Sequence, residues 1–320
     1  MFETRITRML GIPYPIVGGT MMSISSADFV AAIANAGGLG ILASAIYPSR
    51  GEFAAAIDRI RELTDRPFAV NINLFPAMRP IDNDEYVGVL EEKGVRIVET
   101  SGHSAPEALS RRFKAAGMTW IHKCVGVRYA RKIEALGADI VTVVGYENGG
   151  ATGKLDIGTL VLVPTVKDAV SLPVIGGGGV SDGRGLAAVL ALGAEAVIIG
   201  TRLLATRECP IHDNVKQALL GASELDTRLV MRSIGATHRV WCNPAAEKCI
   251  ELENAGAGLE ELIQAASGEK ARQMYRTGDT ACGILACGQG IGLVRDIPTV
   301  RELFDRMMAE ARETVARLAG

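Results

Sequence analysis

The chain has 320 residues, 48% of them hydrophobic and 22% charged, with a formal net charge of −2. That supply of apolar residues supports one large core, within the usual size of a single α/β barrel with insertions. The near-neutral balance excludes the basic footprint of a general nucleic-acid binder and the polybasic surface of a membrane-associated protein.

The opening segment, MFETRITRML, carries charges of both signs and no apolar core, so no secretory signal and a cytoplasmic setting are expected. Short apolar runs then alternate with amphipathic stretches. Strands are expected near Pro15–Gly19, Leu39–Ala43, Phe68–Asn73, Arg96–Thr100, Thr119–Cys124, Ile140–Val144, Val174–Gly176 and Ala196–Gly200. Helical patterns fall between them, near Ser26–Asn35, Arg50–Leu63, Glu85–Lys93, Pro106–Ala116, Ala130–Leu136, Thr159–Val170 and Asp182–Leu192. The strand runs are almost wholly apolar rather than alternating, as in parallel strands covered on both faces. Several helices run into glycine before the next strand, a residue that closes helices by accepting the left-handed conformation. Eight such units fit a (β/α)8 TIM barrel, with an open doubly wound sheet as the competitor.

After Thr201 the rhythm changes. A helical insertion with a polar stretch, TRLVMRSIGATHRVW, separates the last strand from a closing helix near Thr299–Leu318. The expected division is a barrel of residues 1–207 and 274–320 and a substrate-side subdomain of residues 208–273. An insertion at this point lies on the catalytic face of a barrel. No apolar run approaches the roughly 20 residues that cross a bilayer. None of the six cysteines forms a C-x-x-C pair, and the four histidines make no metal-ligand spacing, so reduced thiols and no metal are expected.

The sharpest local signal runs from Val174 to Gly185, where a strand enters four successive glycines and a helix begins. Without Cβ atoms, backbone N–H groups approach an anion closely. The next strand ends in Gly200 and Thr201, which add a hydroxyl and the start of a helix. Loops after the seventh and eighth barrel strands commonly hold a phosphate. The sequence Gly183-Arg184-Gly185-Leu186-Ala187-Ala188 imitates a dinucleotide-binding fingerprint, but it sits in the seventh unit and inside a helix start, so that reading is rejected.

Other strand ends carry polar or small residues. The first ends in Gly18-Gly19-Thr20-Met21, the third in Asn71-Ile72-Asn73, the fifth in His122-Lys123-Cys124, and the sixth leads into Gly145 through Gly153. Asn71 and Asn73 share a face, and Asn73 is the one that reaches the rim. Lys123 at the end of an apolar strand needs an anion or solvent.

The segments PIVGGTM, ANAGGLG, RPFAVNINL, IHKC, GYENGGATG, VIGGGGVSDGRG, IIGTRLLATRECPIH and YRTGDTACGILACGQ together resemble the nitronate monooxygenase (2-nitropropane dioxygenase) family. The likeness runs from about Thr4 to Phe304, and ATRECPIH and GDT are similar to its branch of FMN-dependent NADH:quinone reductases. The resemblance implies FMN. Gly19, Thr20, Met21, Asn73 and Lys123 would contact it, Gly149 and Gly150 would approach its ring, and Gly177, Gly178, Gly179, Gly200 and Thr201 would hold its phosphate.

The sequence departs from the family at one point that bears on chemistry. The loop after the sixth strand reads Gly150-Ala151-Thr152-Gly153, with Ala151 where the family's catalytic histidine stands. A general base contributes typically 10²–10⁴-fold. Thr152 is a poor base, His122 should point away from Lys123, and helix capping or a surface position suits His212 better than the site. Tyr146 and Tyr275 could donate a proton or stack, although packing is the commoner use of tyrosine. The first function implied is oxidation of alkyl nitronates with O₂, in which a pre-ionised nitronate needs no base. The second is NADH- or NADPH-dependent reduction of a quinone or similar acceptor, which depends on orientation. The third is an FMN-binding protein with little turnover. The partner in each case is a small molecule, with a homodimer as the assembly to test.

Overall fold

A computed structural model describes residues 2–74, 82–102, 105–153 and 155–320. Its strands, in chain order, are β1 (Ile16–Gly18), β2 (Gly40–Ala43), β3 (Phe68–Asn73), β4 (Ile97–Ser101), β5 (Thr119–Cys124), β6 (Ile140–Val144), β7 (Gly150–Ala151), β8 (Val174–Gly177), β9 (Ala196–Ile199), β10 (Thr227–Val230) and β11 (His238–Trp241). Eight of these are hydrogen-bonded in the order β1-β9-β8-β6-β5-β4-β3-β2, every pair parallel. The ring closes at β1 and β2, where the Gly18 N–H donates to Leu39 O and the Leu39 N–H to Ile16 O, at 2.9 and 3.0 Å. The fold is therefore a (β/α)8 TIM barrel.

Strand alternation sorts the side chains into two cores. Ala69, Ile97, Ile121, Ile140, Ile175 and Ile198 point into the barrel. Their neighbours Val70, Val98, Trp120, Val141 and Val197 point out against the helices. This double burial explains the continuous apolar runs. Ile6 and Leu10, from the helix Arg5–Leu10, join the inner cluster and plug one end of the barrel.

The outer helices have identifiable starts and buried stripes. Ser49 caps the helix Arg50–Leu63, which buries Phe53, Ala56, Ile57 and Ile60 at helical spacing. Thr299 and Glu302 form a capping box on the helix Val300–Ala319, whose stripe from Val300 to Ala311 completes the ring of helices. This helix approaches the start of Gly183–Ala191 so closely that a Cβ on Gly183 would lie 2.4 Å from the Met307 carbonyl.

The region after β9 holds more than helices. The polar stretch folds as the antiparallel hairpin β10–β11, and β11 pairs in turn with the short rim strand β7. The hairpin was not legible as strands because its alternation carries Arg228, Arg239 and His238 beside few apolar residues. The helices Pro244–Asn254 and Leu259–Ala265 pack behind it around Val230, Val240, Cys249 and Leu262.

Candidate active site

The inner face of the barrel turns from apolar to polar toward the strand C-termini. Above Ala69, Ile97, Ile121 and Ile140 lie Asn71, Glu99, Lys123 and Thr142, each two residues further along its strand and so on the same face. Glu99 is 1% exposed. Its Oε2 accepts from the Asn71 amide at 2.6 Å and from the Thr20 hydroxyl at 2.7 Å. Asn71 also reaches Ser101 Oγ at 3.1 Å. Glu99 Oε1 and Thr142 Oγ1 are buried without a hydrogen-bond partner among the described residues. Lys123 is half-buried between Ser101 and Thr142 in the register and forms no ion pair among the described residues. Sequence reasoning missed Glu99, although an acidic residue inside the apolar run Ile97–Ser101 was the signal.

Loops from the first and last units meet beside this face. The Gly19 N–H donates to Ile199 O at 2.8 Å, and a Cβ on Gly200 would lie 3.8 Å from Met21 Sδ. Gly178 and Gly179 are left-handed, with φ of +104° and +74°. A Cβ on Gly178 would come within 2.5 Å of Thr159 Oγ1. Thr159 holds the turn from below, its hydroxyl 3.1 and 3.0 Å from the carbonyl oxygens of Gly177 and Gly178. The Gly178 and Gly179 N–H groups have no backbone acceptor among the described residues. Thr201 Oγ1 accepts from the Gly288 N–H at 2.8 Å, and its hydroxyl is within hydrogen-bond reach of the Cys287 thiol. Asp182 caps the following helix through the Gly185 N–H, so the Gly183–Gly185 pair lies inside a helix start.

The segment after β6 forms the third side. Glu147 turns away from the mouth and accepts from Thr159 N–H and Oγ1, at 3.0 and 2.9 Å, through Oε2. Gly149 presses on the chain near Gly288, where its Cβ would lie 2.7 Å from the Gly288 nitrogen. Gly150 has φ +80°, and Ala151 is half-buried opposite His238 in the β7–β11 pair. Asn73 lies at the end of β3, level with Ser101. The expected residues of the β1, β3, β5, β6, β8 and β9 ends thus all lie at one end of the barrel.

Other sequence candidates lie elsewhere. His122 points outward, its Nδ1 2.7 Å from Thr100 Oγ1, which also accepts from Trp120 Nε1–H at 2.7 Å. Burial pushes its imidazole down to about 4. His212 caps the helix Asp213–Leu220 through the Asn214 N–H. Tyr146 packs beneath the Arg239 guanidinium at 4.5 Å, and burial raises the Tyr275 phenol. All six cysteines are free, with Cys124, Cys209 and Cys287 pushed up to about 12 by burial. Among the described residues no cluster of His, Cys, Asp and Glu could hold a metal, and no helix is long and apolar enough to cross a membrane.

A TIM barrel with a glycine turn after its seventh barrel strand and, at the same mouth, a lysine and buried polar groups without partners among the described residues defines a small-molecule enzyme of the barrel-rim class. The family model for nitronate monooxygenase matches residues 3–310, and the chain belongs to that family of oxidoreductases. It is 36% identical to the (3aS,4S,5R,7aS)-5-hydroxy-7a-methyl-1-oxo-octahydro-1H-indene-4-carboxyl-CoA dehydrogenase of Mycobacterium tuberculosis, over 97% of this chain and 96% of that protein. FabK from Thermotoga maritima superposes with a TM-score of 0.90 and 36% identity, covering 99% of each chain. Nitroalkane oxidase from Streptomyces ansochromogenes superposes with a TM-score of 0.84 and 28% identity, covering 98% of this chain and 99% of that one.

Proposed function

We propose that the protein is an FMN-dependent oxidoreductase that passes a hydride through the flavin, with NADH or NADPH as one partner and a small carbonyl or thioester compound as the other. The observation that carries this reading is the pairing of two left-handed glycines with Lys123 at the same barrel mouth, the glycine N–H groups without backbone acceptors and the lysine without an ion pair among the described residues. These residues fit the flavin nucleotide. Gly177, Gly178, Gly179, Gly200 and Thr201 hold its phosphate through backbone N–H groups and a hydroxyl. Gly19, Thr20, Met21, Asn73, Lys123, Gly149 and Gly150 border the ring. The flavin supplies two-electron redox chemistry when bound. Lys123 would border the ring, and its ammonium would offset negative charge there.

Ala151 supports hydride transfer over carbon-acid oxidation, because hydride transfer rests on orientation rather than on a base at residue 151. The near full-length likeness to a carboxyl-CoA dehydrogenase makes hydroxyacyl-CoA thioesters the first substrates to try. The segment 208–273 serves as the substrate-side subdomain, a role supported by the pairing of its hairpin with the rim strand. A second reading, oxidation of alkyl nitronates with O₂, is favoured by the family match itself.

Anaerobic mixing of the FMN-loaded protein with NADH, NADPH or a hydroxyacyl-CoA tests the first reading through bleaching of the flavin absorbance. Rapid bleaching by at least one of them is expected. A flavin that stays oxidised with all three, beside oxygen uptake with ethyl nitronate, would replace the first reading with the second.

A further inference from the structure

The two faces of the hairpin pack against different partners. Val230 and Val240 lie in the insertion's own cluster with Ala246, Cys249 and Leu262. The residues on either side of Val240, Arg239 and Trp241, project the other way. Trp241 packs on the outer core of the barrel and stands opposite Thr227 of β10. Arg239 stands opposite Gly150 of β7. This side therefore covers the barrel, and its Thr227 and Arg239 are buried.

Arg239 reaches the segment after β6. Its Nε donates to Tyr146 O and its Nη1 to Thr227 Oγ1, both at 3.1 Å. The guanidinium carbon lies 4.5 Å from the centre of the Tyr146 ring. Arg239 is 4% exposed and forms no ion pair among the described residues, and Nη2 is buried without a partner there. Burying an unpaired cation is costly, and an apolar side chain would fill the same space without that cost. What the guanidinium adds is its planar face on the tyrosine ring and a donor to the tyrosine carbonyl.

The rest of the segment is bonded to the barrel or to itself. The Gly145 N–H donates to Gly177 O and the Tyr146 N–H to Ile157 O, both at 2.8 Å. The Asn148 amide donates to Gly149 O and Ala151 O, at 2.8 and 3.0 Å. Tyr146 is thus held by its N–H from the barrel side and by its carbonyl and ring from the insertion.

We propose that Arg239 is a positioning residue: from the insertion it fixes Tyr146, and so sets how closely Gly149 and Gly150 approach the flavin ring. The proposal rests on the functional reading above only in placing the flavin at this mouth.

Hydrogen exchange in the flavin-free protein tests the clamp without a ligand. In Arg239→Met, amides 145–151 are expected to exchange about tenfold or more faster than in the wild type, with the barrel strands unchanged. Unchanged exchange in that segment, or an equal acceleration throughout the barrel, would overturn the proposal.

FMN titration then reads the effect on the ring. Arg239→Lys keeps the charge but lacks the planar fork. Both Arg239→Lys and Arg239→Met are expected to bind FMN about tenfold or more weakly than the wild type, and to alter the visible circular dichroism of the bound flavin alike. Wild-type affinity and dichroism in both variants would leave Arg239 with packing alone and overturn the proposal. Full recovery in Arg239→Lys would assign the effect to charge and overturn it too. A folded wild type that takes up no FMN fails the functional reading instead, and the exchange measurement reports on Arg239 separately.

Discussion

The hydroxyl of Thr20, in the loop after the first strand, donates to the buried carboxyl of Glu99 at 2.7 Å. A residue proposed to border the flavin is thereby positioned by a side chain inside the barrel. Asn71 donates to the same oxygen, so both donors lose their acceptor in Glu99→Ala. That variant is expected to cost about 3 kcal/mol and to loosen the Thr20 loop. Glu99→Gln keeps a carbonyl oxygen in place and should cost about 1 kcal/mol or less. Urea unfolding of the two variants checks the ranking, and equal losses would show that the shared acceptor is not what Glu99 contributes.

Gly178 and Gly179 separate backbone strain from steric overlap. Both are left-handed, but a Cβ on Gly179 meets nothing closer than Glu147 Cβ at 3.5 Å, while on Gly178 it would overlap Thr159. Gly179→Ala is expected to cost about 1 kcal/mol. Gly178→Ala should exceed about 2 kcal/mol, the conformational strain plus the overlap. Unfolding free energies measured without FMN would reveal the order.

Ala151→His places an imidazole on the rim strand beside the proposed reacting atoms. Nitroethane oxidation is expected to rise about tenfold or more over the wild type. No gain, with fold and flavin content intact, would mean that residue 151 does not stand at the base position.

His122 makes stability depend on acid. Its folded pKa, about 4, lies below the unfolded value of about 6.5, so the unfolded chain binds more protons between them. The contribution is fully present above about pH 6.5 and is lost as pH falls toward 4. Between about pH 7.5 and pH 5 the loss amounts to about 2 kcal/mol. His122→Asn does not titrate there, and its unfolding free energy should vary less with pH by about that amount. Identical slopes would contradict a neutral buried imidazole.

The barrel was legible because its strands are buried on both faces and its helices carry caps and glycine stops. Phe68–Asn73, Thr119–Cys124 and Ile140–Val144 have the bounds expected from apolar runs alone. The opposed directions of His122 and Lys123 followed from strand alternation. Glu99 was not legible as a site residue, since a single acidic residue in a strand does not announce which long-range partners it will meet. The β7 strand is two residues long, too short for any periodicity, and its pairing with β11 spans nearly ninety residues of sequence. The opposition of Ala151 and His238 is thus a property of tertiary register.

Equilibrium titration of FMN into flavin-free protein, for the wild type, Lys123→Met and Gly178→Ala, tests the rim most directly. One FMN per chain is expected, with affinity reduced about tenfold or more in both variants. Flavin-free Lys123→Met should melt at the wild-type temperature, because Lys123 has no ion pair to lose among the described residues. A folded wild-type chain that takes up no FMN, or variants that bind it as tightly as the wild type, would contradict a flavin phosphate and ring held at this mouth.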